Sequence, residues 1–276
     1  MSISILILTL NEEVNLPECL NTVQWADDIV VFDSFSTDGT VAIAEARGAR
    51  VIQRKFDNWS SHQNWALENI SFKYEWVFYI DADERMTGEL KEELLHKAKK
   101  DRNENVAYFC GRRNFLMGRW ISHVASPSYV LRFFKAKHVL FERLVNPVPV
   151  IDGPYGYLKN RLDHYNFSKG MTDWIEKHNR YSLLEAVEGD KAYGMDSLSL
   201  RDLFASDPFK KRTALKTLSF RLPFRPWGKF LYLYIIKRGF LDGGPGLTYC
   251  LLMSIYEYFI VLKTKELRRR NKGLPI

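Results

Sequence analysis

Two aspartates, Asp81 and Asp83, close the apolar run Trp76-Val77-Phe78-Tyr79-Ile80 with one alanine, Ala82, between them. Carboxylates at that spacing beyond a strand can share one divalent cation. A cation held there can bridge diphosphate oxygens and offset charge on a departing nucleotide. An isolated pair of this kind is a weak signal, since solvated turns contain it too. Its weight comes from two further polar clusters that end apolar runs: Thr9-Leu10-Asn11-Glu12 near the end of 2–10, and Asp33-Ser34 at the end of 28–33. A carboxylate at Asp33 can accept hydrogen bonds from a ribose or base. The residues after it read as structural, with a turn at Asp38-Gly39 and a helix-capping hydroxyl at Ser36 or Thr37.

The elements that must position these groups follow from periodicity. Residues 2–10, 28–33, 50–54 and 76–80 read as strands, and 12–23, 39–47, 58–69 and 87–100 as helices. Run 2–10 is apolar at almost every position, as in a parallel strand covered on both faces. Strand–helix alternation over about 100 residues predicts an α/β fold with a Rossmann-like sheet and right-handed crossovers. In such sheets ligands sit beyond the carboxyl ends of the strands, where all three polar clusters fall. Shorter strands at 107–112, 128–135 and 139–150 extend the sheet, and 171–187 has helical spacing. Arg112 and Arg113 lie on that later side, as does Arg132 inside Tyr129-Val130-Leu131-Arg132-Phe133-Phe134. An arginine in so apolar a run is not free surface, and its guanidinium fork suits phosphate.

Composition bounds the partners. The 276 residues carry a net charge of +7, yet residues 201–276 hold 16 Lys/Arg against 5 Asp/Glu, leaving the first 200 residues acidic. The basic end lies beside apolar runs at 229–236 and 247–262, with Trp227, Tyr232 and Tyr234 among them. That combination suits an anionic membrane surface; no nucleic-acid recognition motif accompanies it. The sixteen residues 247–262, with Glu257 as the only charge, make about 24 Å of helix, short of the roughly 30 Å hydrocarbon core. A helix in the interface and a helix buried on the catalytic domain are the two readings. Cys19, Cys110 and Cys250 are too scattered for a disulfide framework or a zinc site and fit a reducing cytoplasm. The first apolar run ends in Asn-Glu-Glu with no basic segment before it, so it reads as a strand rather than a signal peptide. Neither a G-x-G-x-x-G nor a P-loop follows the first strand, which argues against a nicotinamide or flavin dinucleotide and against P-loop chemistry.

The runs Ile7-Leu8-Thr9-Leu10-Asn11-Glu12-Glu13, 32–40 (FDSFSTDGT) and 76–84 (WVFYIDADE) resemble family 2 glycosyltransferases of the GT-A fold. Segments 112–120, 129–134, 164–169 (HYNFSK) and 237–247 (KRGFLDGGPGL) resemble a narrower group, the bacterial lipopolysaccharide-core and exopolysaccharide transferases of the WaaE/KdtX type. The resemblance spans nearly the whole chain, in order. It implies a GT-A catalytic domain over 1–190, with a nucleotide half at 1–100 and an acceptor half at 101–190. A helical, basic, membrane-associating region follows at 191–276. It implies an inverting transfer from a nucleoside-diphosphate sugar, a UDP-sugar above all, to a cell-surface glycan or lipid-linked acceptor. The enzyme would work at the cytoplasmic face of the inner membrane. Thr9, Asn11, Glu12 and Asp33 would lie near the nucleotide. Asp81, Ala82 and Asp83 would lie at the diphosphate, with Asp81 and Asp83 holding Mg2+ or Mn2+. Gln63 and Asn64 would flank the donor, and Arg132 joins this set.

One departure stands out. The narrower group often carries Val-His-Glu where this chain has Val145-Asn146-Pro147, so the expected general base is missing. Glu142, Asp152 and His164 remain as base candidates, although His164 also suits a structural role. An acceptor that is already an anionic lipid phosphate would need no base. Two rivals stay open. A nucleotidyltransferase would use a similar sheet and metal but typically a glycine-rich first loop. A non-catalytic glycan- or nucleotide-binding scaffold would lack the base.

Overall fold

The computed structural model describes residues 3–99, 105–125, 128–143, 147–194 and 224–276. The chain forms two compact units, Met1–Gly170 and Met171–Ile276. The expected boundary at 190/191 falls inside a helix of the second.

In the first unit β1 (Ile3–Thr9), α1 (Leu16–Val23), β2 (Ile29–Asp33), α2 (Thr40–Ala46), β3 (Arg50–Gln53), α3 (Trp59–Asn69) and β4 (Trp76–Asp81) alternate as expected. Then come β5 (Glu84–Arg85), α4 (Gly88–Lys99), β6 (Ala107–Leu116), β7 (Arg119–Trp120), β8 (Ser128–Lys135), β9 (Val139–Glu142), β10 (Val148–Ile151) and β11 (Tyr155–His164). The main sheet has the order β3-β2-β1-β4-β8-β6-β11-β5, with β7 beside β6. The first four strands are parallel, β8 runs against both its neighbours, and β11 is parallel to β6. This is a mixed α/β sheet of the GT-A kind.

All seven residues of β1 are buried, because both faces of the sheet are covered. Leu16, Cys19 and Leu20 of α1, Ala44 of α2, and Leu90 and Leu94 of α4 fill one face. Ala66 of α3, with Val139 and Phe141 of β9, packs on the other. Asn58 starts α3 by accepting a hydrogen bond from the Ser61 amide.

The winding places the crevice. β2 and β4 lie on opposite sides of β1, so the direction of winding reverses between β1 and β4, which is where open α/β sheets bind ligands. Thr9 lies opposite Asp33, and Leu8 opposite Asp81, so the three strands end level.

Three expectations needed correction. The run 139–150 is not one strand: β9 and β10 form a separate antiparallel pair, with Arg143 at φ 77° where the chain leaves β9. α1 starts at Leu16 rather than residue 12, because 11–15 form a turn in which the Glu12 carbonyl accepts from the Asn15 and Leu16 amides. And β11 is a ten-residue strand with no counterpart in the sequence reading. Its pairing with β6 shifts register between Tyr157 and Arg161, and the positions in phase with its buried leucines, Leu158 and Leu162, are Gly156, Asn160 and His164, so an apolar alternation is not visible in the sequence.

The second unit contains α5 (Gly170–Gly194, starting at the boundary), α6 (Arg225–Leu231), a π-helical turn Tyr232–Ile236, a 3-10 turn Gly239–Asp242 and α7 (Gly243–Asn271). α7 has 29 residues, well beyond the expected 247–262. Segment 195–223, part of the expected basic region, lies outside the described residues, as do Val145 and Asn146.

Candidate functional site

Asp33 ends β2 and is completely buried. Its carboxylate accepts from Thr9 Oγ1 at 2.9 Å, the Ser36 amide at 2.9 Å, Ser36 Oγ at 2.5 Å and Gln53 Nε2 at 2.9 Å. Burial works against its charge, but these donors hold the carboxyl below the usual carboxylate range. Four donors fill the lone pairs of a carboxylate. Asp33 is therefore committed to shaping loop 34–37 and offers no open acceptor. Asn11, at φ 54°, closes the same loop: its amide donates to Ser36 Oγ and its Oδ1 accepts from the Thr37 amide. Thr9, Asn11 and Asp33 thus make one wall at the β1 and β2 ends.

Gln63 and Asn64 serve the fold. Asn64 bridges α3 to β9, donating to the Phe141 carbonyl and accepting from its amide. Gln63 is buried and donates to the Tyr79 hydroxyl. Ala82 is buried in the core, where its carbonyl accepts from Arg85.

Asp81 and Asp83 separate. Asp81 pairs with Arg132 Nη2, which also reaches Glu84 Oε1 at 2.8 Å. The Arg132 guanidinium lies 4.4 Å from the centre of the Tyr79 ring. Burial alone would lower its pKa, but Asp81 and Glu84 raise it well above the ordinary value. Glu84 is 0% exposed; its other oxygen accepts from the Asp81 amide, and Arg112 stands 3.5 Å away. So Arg132 meets the site through a carboxylate it neutralises. Arg113 is paired with Asp163.

Asp83 faces the far half of the sheet. β5 pairs with the end of β11, His164 opposite Glu84, and this brings His164 Nε2 to 3.5 Å from Asp83 Oδ2. His164 Nδ1 is 2.7 Å from Asn114 Oδ1, and the Asn114 amide nitrogen donates to the Ala125 carbonyl, which fixes the amide's orientation. Nδ1 is then the protonated nitrogen, and in the neutral ring the Nε2 lone pair points at a carboxylate.

Glu12 lies on the same crevice. Burial pushes its carboxyl up; Asn15 and Lys169 oppose that, and Asp83 adds to it. Lys169 Nζ is 2.6 Å from Glu12 Oε1 and donates to the Asn11 carbonyl at 3.0 Å. Four carboxylates, Glu12, Asp81, Asp83 and Glu84, lie here with Arg112, Arg132 and Lys169, and Arg85 stands beside them, donating to the Ala82 and Glu84 carbonyls.

Of the base candidates, His164 sits in this cluster. Glu142 ends β9 and Asp152 follows β10, both exposed on the small two-stranded sheet. Sequence reasoning missed Glu84, Lys169 and Asn114. The acidic residue directly after the Asp-x-Asp pair was the available signal for the first; the other two lie in segments 112–120 and 164–169, whose resemblance was noted without a role for either residue. All three cysteines are free and buried.

Residues 4–151 match the family model for glycosyl transferase family 2. An uncharacterized glycosyltransferase of Rickettsia typhi is 24% identical over 284 residues, covering 99% of this chain and 89% of its own length. The lipopolysaccharide core biosynthesis glycosyltransferase LpsC of Rhizobium meliloti is 30% identical over 200 residues, 67% of this chain and 71% of its own. Among solved structures, S. aureus TarS 1–349 aligns over 99% of this chain and 92% of its own, with TM-score 0.48 and 13% identity. The matched segment contains β1 to β4 and the Asp81–Asp83 pair, and on it the chain belongs to glycosyl transferase family 2.

Proposed function

We propose that the protein transfers a sugar, with inversion, from a nucleoside-diphosphate donor, UDP-linked above all, to a cell-surface glycan or lipid-linked acceptor. The likeness to LpsC supports a lipopolysaccharide-type acceptor. The observation that carries the reading is the Asp83–His164 pair, formed where the chain passes from the end of β4 to β5 and meets the end of β11. Of Mg2+ and Mn2+, one carboxylate and one imidazole suit Mn2+ better, since Mg2+ takes oxygen ligands; either ion would leave positions for substrate phosphates and water. Such an ion supplies charge neutralisation for the departing diphosphate. Asn114 orients the imidazole, as outer-shell partners of metal-binding histidines do. Asp81, held by Arg132 and its own amide bond to Glu84, faces the same crevice. The wall made by Thr9, Asn11 and the Asp33-ordered loop receives the nucleoside. Lys169 stands beside it as a further cation for the diphosphate. With His164 turned to Asp83, an acceptor that is already anionic, or activated by Glu142 or Asp152, completes the reaction. The place of work is the cytoplasmic face of the membrane, reached through the second unit.

Calorimetric titration of UDP with and without Mn2+ tests the donor half. Metal-dependent binding is expected for the native chain and its loss in both Asp83→Ala and His164→Ala. Metal-independent binding, or none, would remove the assignment, and none at all is what a scaffold would show.

A further inference from the structure

The second unit reverses the usual distribution of polarity. Between residues 247 and 262 of α7 the exposed positions are Leu247, Leu251, Ile255, Tyr258 and Leu262, and no others. Spacings of four, four, three and four put them in one stripe. The opposite side of the helix turns inward and carries the polar groups. Glu257 is buried against Arg225 of α6, and Ser254 donates to the Pro226 carbonyl at 2.7 Å. One turn on, Lys263 donates to Asn179 Oδ1 at 2.6 Å and Ser182 Oγ at 2.8 Å, both on α5.

The segment before α7 repeats the pattern. Phe224, Trp227, Leu231, Tyr232, Ile235, Ile236, Phe240 and Leu241 are exposed, while Arg225, Lys229 and Lys237 are half-buried. Water selects the opposite arrangement, and an apolar face this continuous marks a contact surface. Charge selects the partner. Lys265, Arg269 and Arg270 lie exposed just past the stripe, and Arg238 lies exposed within the 224–241 part. Aromatic rings and basic residues bordering an aliphatic face are what a bilayer interface with anionic headgroups accepts.

We infer that this face, the outer stripe of α7 with residues 224–241, inserts into the acyl boundary of an anionic lipid bilayer while the polar face stays inside the protein. This deepens the membrane location proposed above and is independent of the donor chemistry. The attachment is hydrophobic in its main part and electrostatic at its border.

The test is sedimentation of the full chain with vesicles of phosphatidylcholine alone or with phosphatidylglycerol, before and after a 1 M salt wash (about 3 Å screening length). The variant is Leu251→Glu/Ile255→Glu. Both positions are exposed, so circular dichroism and melting should match the native chain. Expected are binding favoured by the anionic lipid, largely retained through the wash, and weakened on the order of a hundredfold in the variant. Native protein that stays in solution, or washes off completely, or a variant that binds as well as native, overturns the inference. So does a native dimer that the variant converts to monomer without any vesicle binding, since a second copy would then cover the face. UDP binding by the variant should be unchanged, so failure here and failure of the donor site are distinguishable.

Discussion

Replacing Arg132 by methionine tests the site where its energetics are most exposed. The substitution keeps an unbranched side chain of similar reach and removes the guanidinium. Glu84 then remains ionisable at 0% exposure, with the Asp81 amide still donating to it but its main counter-charge gone. Asp81 loses its partner too, although its side chain is 31% exposed and water relieves part of that loss. Removing one member of a buried pair costs about 3–5 kcal/mol. The contact with the Tyr79 ring, at 4.4 Å, adds about 1 kcal/mol. Arg132→Met should therefore cost about 4 kcal/mol in the first unit. Glu84→Gln in the same background removes the stranded charge and keeps an acceptor for the Asp81 amide. The double variant should recover about 2 kcal/mol or more, a coupling typical of residues in one network. Urea unfolding followed by tryptophan fluorescence reads this, because Trp25, Trp59, Trp65, Trp76 and Trp120 lie in the first unit and only Trp174 and Trp227 in the second. Purely additive losses, or a single variant as stable as the native chain, would refute the buried network.

Asp33→Asn leaves four donors facing a side chain that no longer accepts them all, and should lower stability by about 2–3 kcal/mol; an unaltered melting temperature would count against the hydrogen bonds described. His62 is buried under Phe32, with Ser34 and Arg54 at its two nitrogens. Burial, helped by Arg54 and opposed by Asp57, pushes its imidazole from 6.5 down to about 4. The unfolded ring takes a proton that the folded ring refuses, so this contribution is intact above pH 6.5 and lost as pH falls toward 4. Between pH 7.5 and 4.5 the native chain should lose ~2 kcal/mol more than His62→Phe, measured by urea unfolding at each pH; parallel losses in the two proteins would contradict the burial. A Cβ at Gly246 would stand 2.2 Å from the Gly239 carbonyl oxygen and 2.6 Å from Asp242 Cβ, whereas one at Gly244 meets nothing within 4 Å. Gly246→Ala should cost roughly 2–4 kcal/mol in the second unit and Gly244→Ala far less, read by limited proteolysis; equal resistance would mean that the turn is not packed as described.

The first hundred residues were legible because each strand there is short, apolar and bounded by turn chemistry. β1 to β4 stand where periodicity put them, with α1 shortened at its start, and the level strand ends follow from a parallel register. The rest of the sheet was less so. β11 shows little alternation because the positions in phase with Leu158 and Leu162 are Gly156, Asn160 and His164, none of them an apolar side chain. Local pattern therefore carried no signal for the strand that delivers His164. Residue type told only part of the story at Asp33, Gln63 and Asn64. A polar residue at a strand end or on a flanking helix looks like a ligand contact from sequence, and the structure adds that each meets the hydrogen-bonding needs of a loop, a tyrosine or a neighbouring strand. Burial separates the two cases, and burial is a property of the assembled sheet.

The same distinction divides the two aspartates that first drew attention. Spacing suggested that they share an ion, as residues two apart on a strand would point the same way. But β4 ends at Asp81 and the chain has turned before β5 begins at Glu84. The first carboxylate is thereby left against Arg132, with its amide on Glu84. The second is carried across to β11 and met by His164. The first is tied to a permanent cation inside the sheet; the second faces an imidazole. The ion site proposed above would use the second carboxylate, with the first held in place by Arg132. Arg132 can be buried in an apolar strand because Asp81 and the wholly inaccessible Glu84 neutralise it.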